Sequence, residues 1–522
     1  MSIKNIDIGN TSFLALAWVG FGIFIIPLYI TFYIKQRKEV KIAQHILLDE
    51  NPKQEKLIQY FNLIAEHRDN WKDRSKSYYD ELLKILQFLI PPYASVIEIG
   101  CGTGDFLNQL SQEKVMGIDS SSGMIKKARV KYPDIPFDVM NAENIEPEKL
   151  NESYDYIIMS DLIGHLNDVQ KAFEESKKLM HDGSRLIITY YSYLWEPILR
   201  ILEKLYLKMP QFRQNWLSTS DIENLIELSG MEVVKEGEAL LMPTYIPFFS
   251  WLLNKYFVKL PLFRYLALIQ YFVVRKNNPT SQEYSLSVII PARNEGGNIE
   301  KAVLRTPKIG KFTELIFVEG HSTDNTWEEI KRVYEKYKDS HKIKIMQQPG
   351  KGKGDAVRKG FSEATGDIVT ILDGDLTMPP EELPKFYNVM ANRQADFVNG
   401  CRLVYPPEKE SMLFFNLLGN KFFSMAFTWL LDQPLKDTLC GTKMLLKKDY
   451  ENIIANRGYF GNFDPYGDFD LLFGASKLNL KFMEIPIRYQ ARTYGETNIQ
   501  RWRHGLLLLK MVFFAMGKIK FI

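Results

Sequence analysis

Three cysteines in 522 residues, Cys101, Cys401 and Cys440, are too few and too widely spaced for a disulfide framework or a thiolate metal site. They read as reduced thiols in a cytosolic setting. An excess of charge of one sign is missing too. With 66 Lys and Arg against 63 Asp and Glu the net charge is +3, which gives a nucleic-acid partner no electrostatic support. Nor is the chain depleted of apolar residues, and 46% hydrophobic with 25% charged residues excludes general disorder. Its length exceeds what one core fills, and about 150 residues per domain gives two or three domains. Long apolar runs are absent with one exception, FLALAWVGFGIFIIPLYITFYI at residues 13–34, which is uncharged over a bilayer-crossing length. Its leader holds only Lys4 as a cation and no small-residue cleavage site follows, so a transmembrane anchor fits better than a signal peptide. Pro27 would kink that helix. Lys35, Arg37, Lys38 and Lys41 follow the run, which predicts that the bulk of the chain faces the cytoplasm.

After the anchor, PPYASVIEIGCGTGDFL carries an apolar strand straight into Gly100, Gly102 and Gly104 and then into a helical pattern. Glycines at alternate positions let the backbone turn tightly and let a ligand approach it closely. The next strand ends in Asp119, where a carboxylate can accept hydrogen bonds from ribose hydroxyls. The pattern G-x-G-x-G after Glu98 departs from the dinucleotide fingerprint and favours an adenosyl ligand without a pyrophosphate. This stretch, with DVMNAENI and YDYIIMSDLIGHL, resembles the class I S-adenosylmethionine-dependent methyltransferases. The resemblance implies that Glu98 and the turn Gly100, Gly102, Gly104 border the methionine moiety, Asp119 the ribose, and Asn141, Ala142 and Glu143 the adenine region. His165 is expected to be structural more than substrate-facing. The alternating pattern predicts a mostly parallel sheet, with Gly183 closing a helix. Residues 240–272 mix aromatic and aliphatic residues with Lys255, Lys259 and Arg264, which suits either a domain-closing segment or a membrane-surface contact.

A polar stretch with Pro279 at residues 276–285 marks the next boundary. Beyond it, DIVTILDGD delivers Asp373 and Asp375 to the polar end of an apolar strand, an oxygen-rich port for a divalent metal with phosphate on its far side. Around it lie SVIIPARNEGGNI, LIFVEGHSTDNT, GKGDAVRKGFSEATGD, VNGCRL and YQARTYGETNI. In this order the series resembles glycosyltransferase family 2, in its branch of dolichyl- and polyprenyl-phosphate sugar synthases. The resemblance implies that Pro291, Ala292, Asn294 and Glu295 line the donor, that Glu319 faces its ribose or base, and that Asp373 and Asp375 take Mg or Mn. Gly320 stands where the family more often has a second Asp, which leaves uridine and guanosine donors open. Lys353 sits in a cationic glycine loop that either approaches the donor or forms an exposed basic turn; a Walker-type cradle is excluded by its spacing. Arg402, Lys443 and Arg492 match positions that hold donor or lipid phosphate. In FGNFDPYGDFDLLF, Asp468 or Asp470 could serve as general base for a hydroxyl acceptor, or Asp468 could cap a helix. A phosphate acceptor needs no base.

The expected architecture is α/β, two Rossmann-like domains after an N-terminal transmembrane helix: an anchor at 1–40, a methyltransferase-like domain at 41–278, and a GT-A glycosyltransferase domain at 284–522 ending in an amphipathic helix. The expected activity moves a sugar from a nucleoside-diphosphate sugar to a polyprenyl phosphate or lipid-linked glycan, with S-adenosylmethionine and a divalent metal as cofactors. Alternatives are a surface-polysaccharide glycosyltransferase that also methylates the glycan, and a non-catalytic membrane scaffold.

Overall fold

The computed structural model describes residues 54–521 except 151–152, 212–213, 245, 279, 406–413, 462–466, 491, 493 and 495–500. The predicted transmembrane segment at 13–34 lies outside the described residues. Among those described, no helix is long and apolar enough to cross a membrane.

Two seven-stranded sheets organise the chain. The first has the order β3-β2-β1-β4-β5-β7-β6, built from β1 (Val96–Ile99), β2 (Val115–Asp119), β3 (Phe137–Val139), β4 (Tyr154–Ser160), β5 (Met180–Tyr191), β6 (Met231–Ala239) and β7 (Ile269–Lys276). All four residues of β1 are buried, as a parallel strand covered by helices on both faces requires. β1 to β5 run parallel, and β7 is antiparallel to both β5 and β6, so the sheet is mostly parallel, as expected, with β7 reversed. Strand β7 inserts between two earlier strands, a pairing that alternation along the chain does not encode. Gly183, expected at a helix end, lies instead inside β5; the preceding helix stops at Ser176.

The second sheet has the order β10-β9-β8-β11-β13-β12-β14, from β8 (Leu286–Ala292), β9 (Thr313–Glu319), β10 (Lys342–Gln347), β11 (Ile368–Ile371), β12 (Phe397–Cys401), β13 (Lys443–Leu446) and β14 (Phe482–Pro486). β13 is antiparallel to β11 and β12, whereas β8 to β11 are parallel. Helices Phe414–Leu431 and Arg501–Ala515 close one side through Phe427, Leu430, Leu508, Met511 and Val512.

The two sheets are joined by buried polar contacts. Asp396, just before β12, receives Arg185 of β5 at 2.6 Å and Arg275 of β7 at 2.7 Å, and both arginines are 4% exposed or less. Arg275 also donates to the carbonyl of Arg393, and Arg185 to that of Asn479. Asn479 donates to the carbonyl of Leu89, and Lys235 of β6 to that of Ser476.

Candidate active sites

The first cleft opens at the carboxyl ends of β1, β2 and β4, where ligands bind in open α/β sheets. Gly100, Gly102 and Gly104 all have positive φ, from 54° to 79°, so the turn uses a backbone conformation that side chains resist. A Cβ on Gly104 would lie 2.5 Å from the Phe137 ring, but one on Gly102 would meet nothing within 4 Å. Gly102 thus faces open space. Asp119 accepts the amides of Gly102 at 2.9 Å and Ser121 at 2.8 Å, which fixes the turn. A carboxylate has about four acceptor sites, so capacity remains for ribose hydroxyls. Glu98 is 2% exposed, and its Oε2 atom is buried without a hydrogen-bond partner. Burial pushes its carboxyl up to about 8, against the pull of Lys72. An orphaned buried acceptor beside an open glycine turn fits a ligand with a cationic amino group, as S-adenosylmethionine has.

The adenine-side residues divide. Ala142 is buried, and Asn141 Oδ1 accepts the Glu143 amide at 3.0 Å. The Glu143 carboxylate turns inward and accepts the amide of Asn167 at 2.7 Å. His165 is neutral, because burial, then Lys208 and Arg68, lower its pKa to about 3, and its Nε2 lies 3.1 Å from Gln214.

The second cleft gathers carboxylates and cations at the ends of β8, β9 and β11. Pro291 and Ala292 pair with Val318 and Glu319 at the tips of β8 and β9. Asn294, at φ 57°, accepts the Thr323 amide at 2.8 Å and so holds the loop after β8 against the loop after β9. Glu319 is buried, and despite that burial its hydrogen bonds from Ser322 and Gln347 hold its carboxyl below the usual range. Asp373 pairs with Lys353 at 2.6 Å. Both rest on Gly441, where a Cβ would lie 2.1 Å from Asp373 Oδ2 and 2.4 Å from Lys353 Nζ. Arg492 bridges Asp375 at 2.6 Å and Glu295 at 3.0 Å, and burial raises the Glu295 carboxyl to about 7. Arg402 forms a two-pronged pair with buried Asp437, at 2.8 and 2.9 Å. Lys443 is fully buried and pairs with Asp468 at 2.9 Å.

Asp468 is therefore the first residue of its helix (Asp468–Lys477) and not the cap, which is Gly467. Asp470, two residues on, lies on the opposite helix face. It faces Arg457 at 3.1 Å and Arg358 at 3.7 Å, apart from the Asp373 cluster. Even with Glu295 raised toward neutrality, Glu319, Asp373, Asp375, Asp437 and Asp468 outnumber Lys353, Arg402, Lys443 and Arg492, so a diphosphate would meet net negative charge. Among the described residues, no three His, Cys, Asp or Glu side chains form a metal cage. Two adjacent aspartates fit the mode in which a hard ion takes one or two carboxylates and fills its shell with substrate phosphate and water.

Residues 70–236 match the family Methyltransferase domain, and residues 287–453 match the family Glycosyl transferase family 2. The chain joins a methyltransferase domain to a glycosyl transferase family 2 domain. It is 30% identical over 223 residues to the dolichol-phosphate mannosyltransferase of Pyrococcus furiosus, covering 41% of this chain and 59% of that protein. Against the dolichol-phosphate mannosyltransferase of Saccharomyces cerevisiae it is 29% identical over 236 residues, 42% of this chain and 82% of the yeast protein. The chain thus spans less than two thirds of the archaeal relative. A solved SAM-dependent methyltransferase of Thermotoga maritima, described as a possible histamine N-methyltransferase, is 19% identical with a TM-score of 0.32, covering 42% of this chain and 97% of that one.

Several residues of the methyltransferase domain take no role from the motifs, although Asp161 lies within one of them. Asp161, just past β4, has φ 53°, accepts Tyr78 Oη at 2.7 Å, and is raised by burial to about 6. Its position at the carboxyl end of a strand beside β1 was the available signal. Lys72, which donates to Asp105 at 2.6 Å, and Asn62, which accepts the Gly123 amide at 2.8 Å, come from helices ahead of the glycine turn and belong to no motif. In the glycosyl transferase family 2 domain, Asp437 was missed because its partner Arg402 is 35 residues away.

Proposed function

We propose that the chain is a membrane-bound enzyme that transfers a sugar from a nucleoside diphosphate to a polyprenyl phosphate, and that its methyltransferase domain binds S-adenosylmethionine. The observation that carries the first part is the strand-end pair Asp373 and Asp375, set among Lys353, Arg492 and Arg402 in a domain related to dolichol-phosphate mannosyltransferases. The working units are residues 41–278 and 284–522, with residues 1–40 as a single-pass anchor that keeps both domains at the cytoplasmic face of the cell membrane.

Asp373 and Asp375 would hold a divalent ion, which supplies charge neutralisation for the leaving diphosphate. Lys353 and Arg492, released from these carboxylates when the donor enters, turn to its phosphates. Glu319 and the loop of Ala292, Asn294 and Glu295 hold the nucleoside. Arg402 screens the acceptor phosphate, whose oxygen is ionised at neutral pH and attacks without a general base. Lys443 contributes by its field from beneath, since it is fully buried.

Incubation of the full chain with polyprenyl phosphate and labelled uridine or guanosine diphosphate sugars should yield an acid-labile glycolipid. Hydrolysis of the donor without lipid product would reject the acceptor. Removal of residues 1–34 should release much of the protein from vesicles in a flotation assay without eliminating its affinity for them, and unchanged flotation would reject the anchor as the main attachment.

A further inference from the structure

A belt of exposed apolar side chains crosses the junction between the domains. On the methyltransferase side, Phe248, Trp251, Leu262 and Tyr265 are 52% to 84% exposed. On the glycosyl transferase side, Phe422 and Met425 stand out from helix Phe414–Leu431, and Leu506 and Phe513 from helix Arg501–Ala515. The two groups are continuous. Trp429 Nε1 donates to the Lys259 carbonyl at 2.8 Å, and the Phe521 ring lies 5.1 Å from that of Tyr256 and 5.9 Å from that of Trp429.

Within the segments that carry the belt the charge has one sign, although Arg264 pairs with Glu238 and Lys520 with Asp432, both from outside them. Residues 246–266, 414–431 and 501–522 contain no Asp or Glu, although the chain has 63, and they carry three, one and five Lys or Arg respectively. We propose that both domains jointly form a docking face for an anionic lipid bilayer. Aromatic and aliphatic residues interleaved with cations suit the headgroup boundary, where apolar rings enter the acyl region and lysines stay with phosphates. Because no described helix is a span, this face lies on the membrane and not through it. A second copy of the chain is a poorer occupant: Glu238 and Asp432 are already held by Arg264 and Lys520, so a two-fold interface would oppose the exposed Lys421, Lys510 and Lys518 to each other. The inference rests on the membrane location proposed above and adds which surface meets the lipid.

The test uses the selective chemistry of the chain. Its three cysteines are all buried, so a thiol introduced at an exposed site takes a polarity-sensitive fluorophore. Full-length Leu262→Cys, Phe513→Cys and, on the exposed helix end away from the belt, Lys338→Cys are labelled and reconstituted with vesicles containing phosphatidylglycerol. Labels at 262 and 513 should both shift to the blue and be quenched several-fold by brominated lipid, with the label at 338 unchanged. Water-like emission at 262 or 513 while the protein floats with vesicles would overturn the joint face, as would quenching at all three sites. A blue shift without vesicles, accompanied by doubled mass, would assign the face to a second copy instead. Sugar transfer to polyprenyl phosphate is assayed on the same samples, so loss of that activity reading leaves the lipid contact independently decided.

Discussion

Glu98 is a carboxyl group that the fold keeps neutral near pH 7, since burial raises it to about 8. The raised value means that its contribution to stability is full below 4.5 and is lost as pH rises through about 8. A cationic cofactor reverses this preference, because it favours the ionised carboxylate. S-adenosylmethionine affinity should therefore rise from about pH 6 to about pH 9, with release of close to one proton on binding near neutrality. Titration calorimetry in buffers of different ionisation heat would show it, and Glu98→Gln should remove the proton release. Asp375 is the corresponding test in the second cleft. Asp375→Asn keeps the side-chain shape and the bond to Thr377 but removes the charge that faces Arg492. Sugar transfer should fall by at least about a hundredfold, about 2.7 kcal/mol in the transition state, with cofactor binding by the methyltransferase domain unchanged. Near-normal turnover with Mg or Mn would remove the pair from the mechanism.

The element that separates folding from ligand access is the turn after β1. Gly102 and Gly104 are both left-handed, but only Gly104 lacks room for a methyl group. Gly102→Ala should fold at a cost of about 1 to 2 kcal/mol from the positive φ alone, yet bind S-adenosylmethionine at least tenfold more weakly, because its Cβ projects into the open cleft. Gly104→Ala adds the collision with Phe137 and should lose more thermal stability. Chemical denaturation and calorimetry on the pair distinguish the two effects, and equal cofactor affinity for Gly102→Ala and the parent would place the ligand elsewhere. Such turns are legible from sequence because the signal is local: strand, alternating glycines and helix are contiguous, as are β11 and its two aspartates. What the sequence hides is pairing across distance. The insertion of β7 between β5 and β6, the hold of Asp437 on Arg402, and the inward turn of Glu143 all depend on residues 24 or more positions apart. Asp468 and Asp470 look equivalent in the sequence, and only helix geometry sends one to Lys443 and the other to Arg457.

At the scale of the molecule, the two domains are held together by charges that neither could bury alone. Among the described residues Asp396 is the one carboxylate paired with Arg185, and it shares Arg275 with Glu232 of β6. Burial opposes its ionised form, but the two guanidinium groups hold its carboxyl below the usual range. Asp396→Ala would leave Arg185 inside the junction without that partner, and breaking a buried pair from one side costs about 3 to 5 kcal/mol. The double variant Arg185→Met with Asp396→Leu removes both charges and should recover much of the loss, since apolar replacement of a buried ion pair is often close to neutral. The lowered carboxyl sets the sign of the pH dependence: the contribution is complete above 3.8 and disappears as acid protonates Asp396 in the folded state. Denaturant unfolding should therefore show Asp396→Ala as strongly destabilised near neutrality but approaching the parent as the pH falls toward the folded value. If the single variant instead unfolds like the parent at neutral pH, the junction is held by its apolar and backbone contacts, and the orientation of the two active sites does not depend on this cluster.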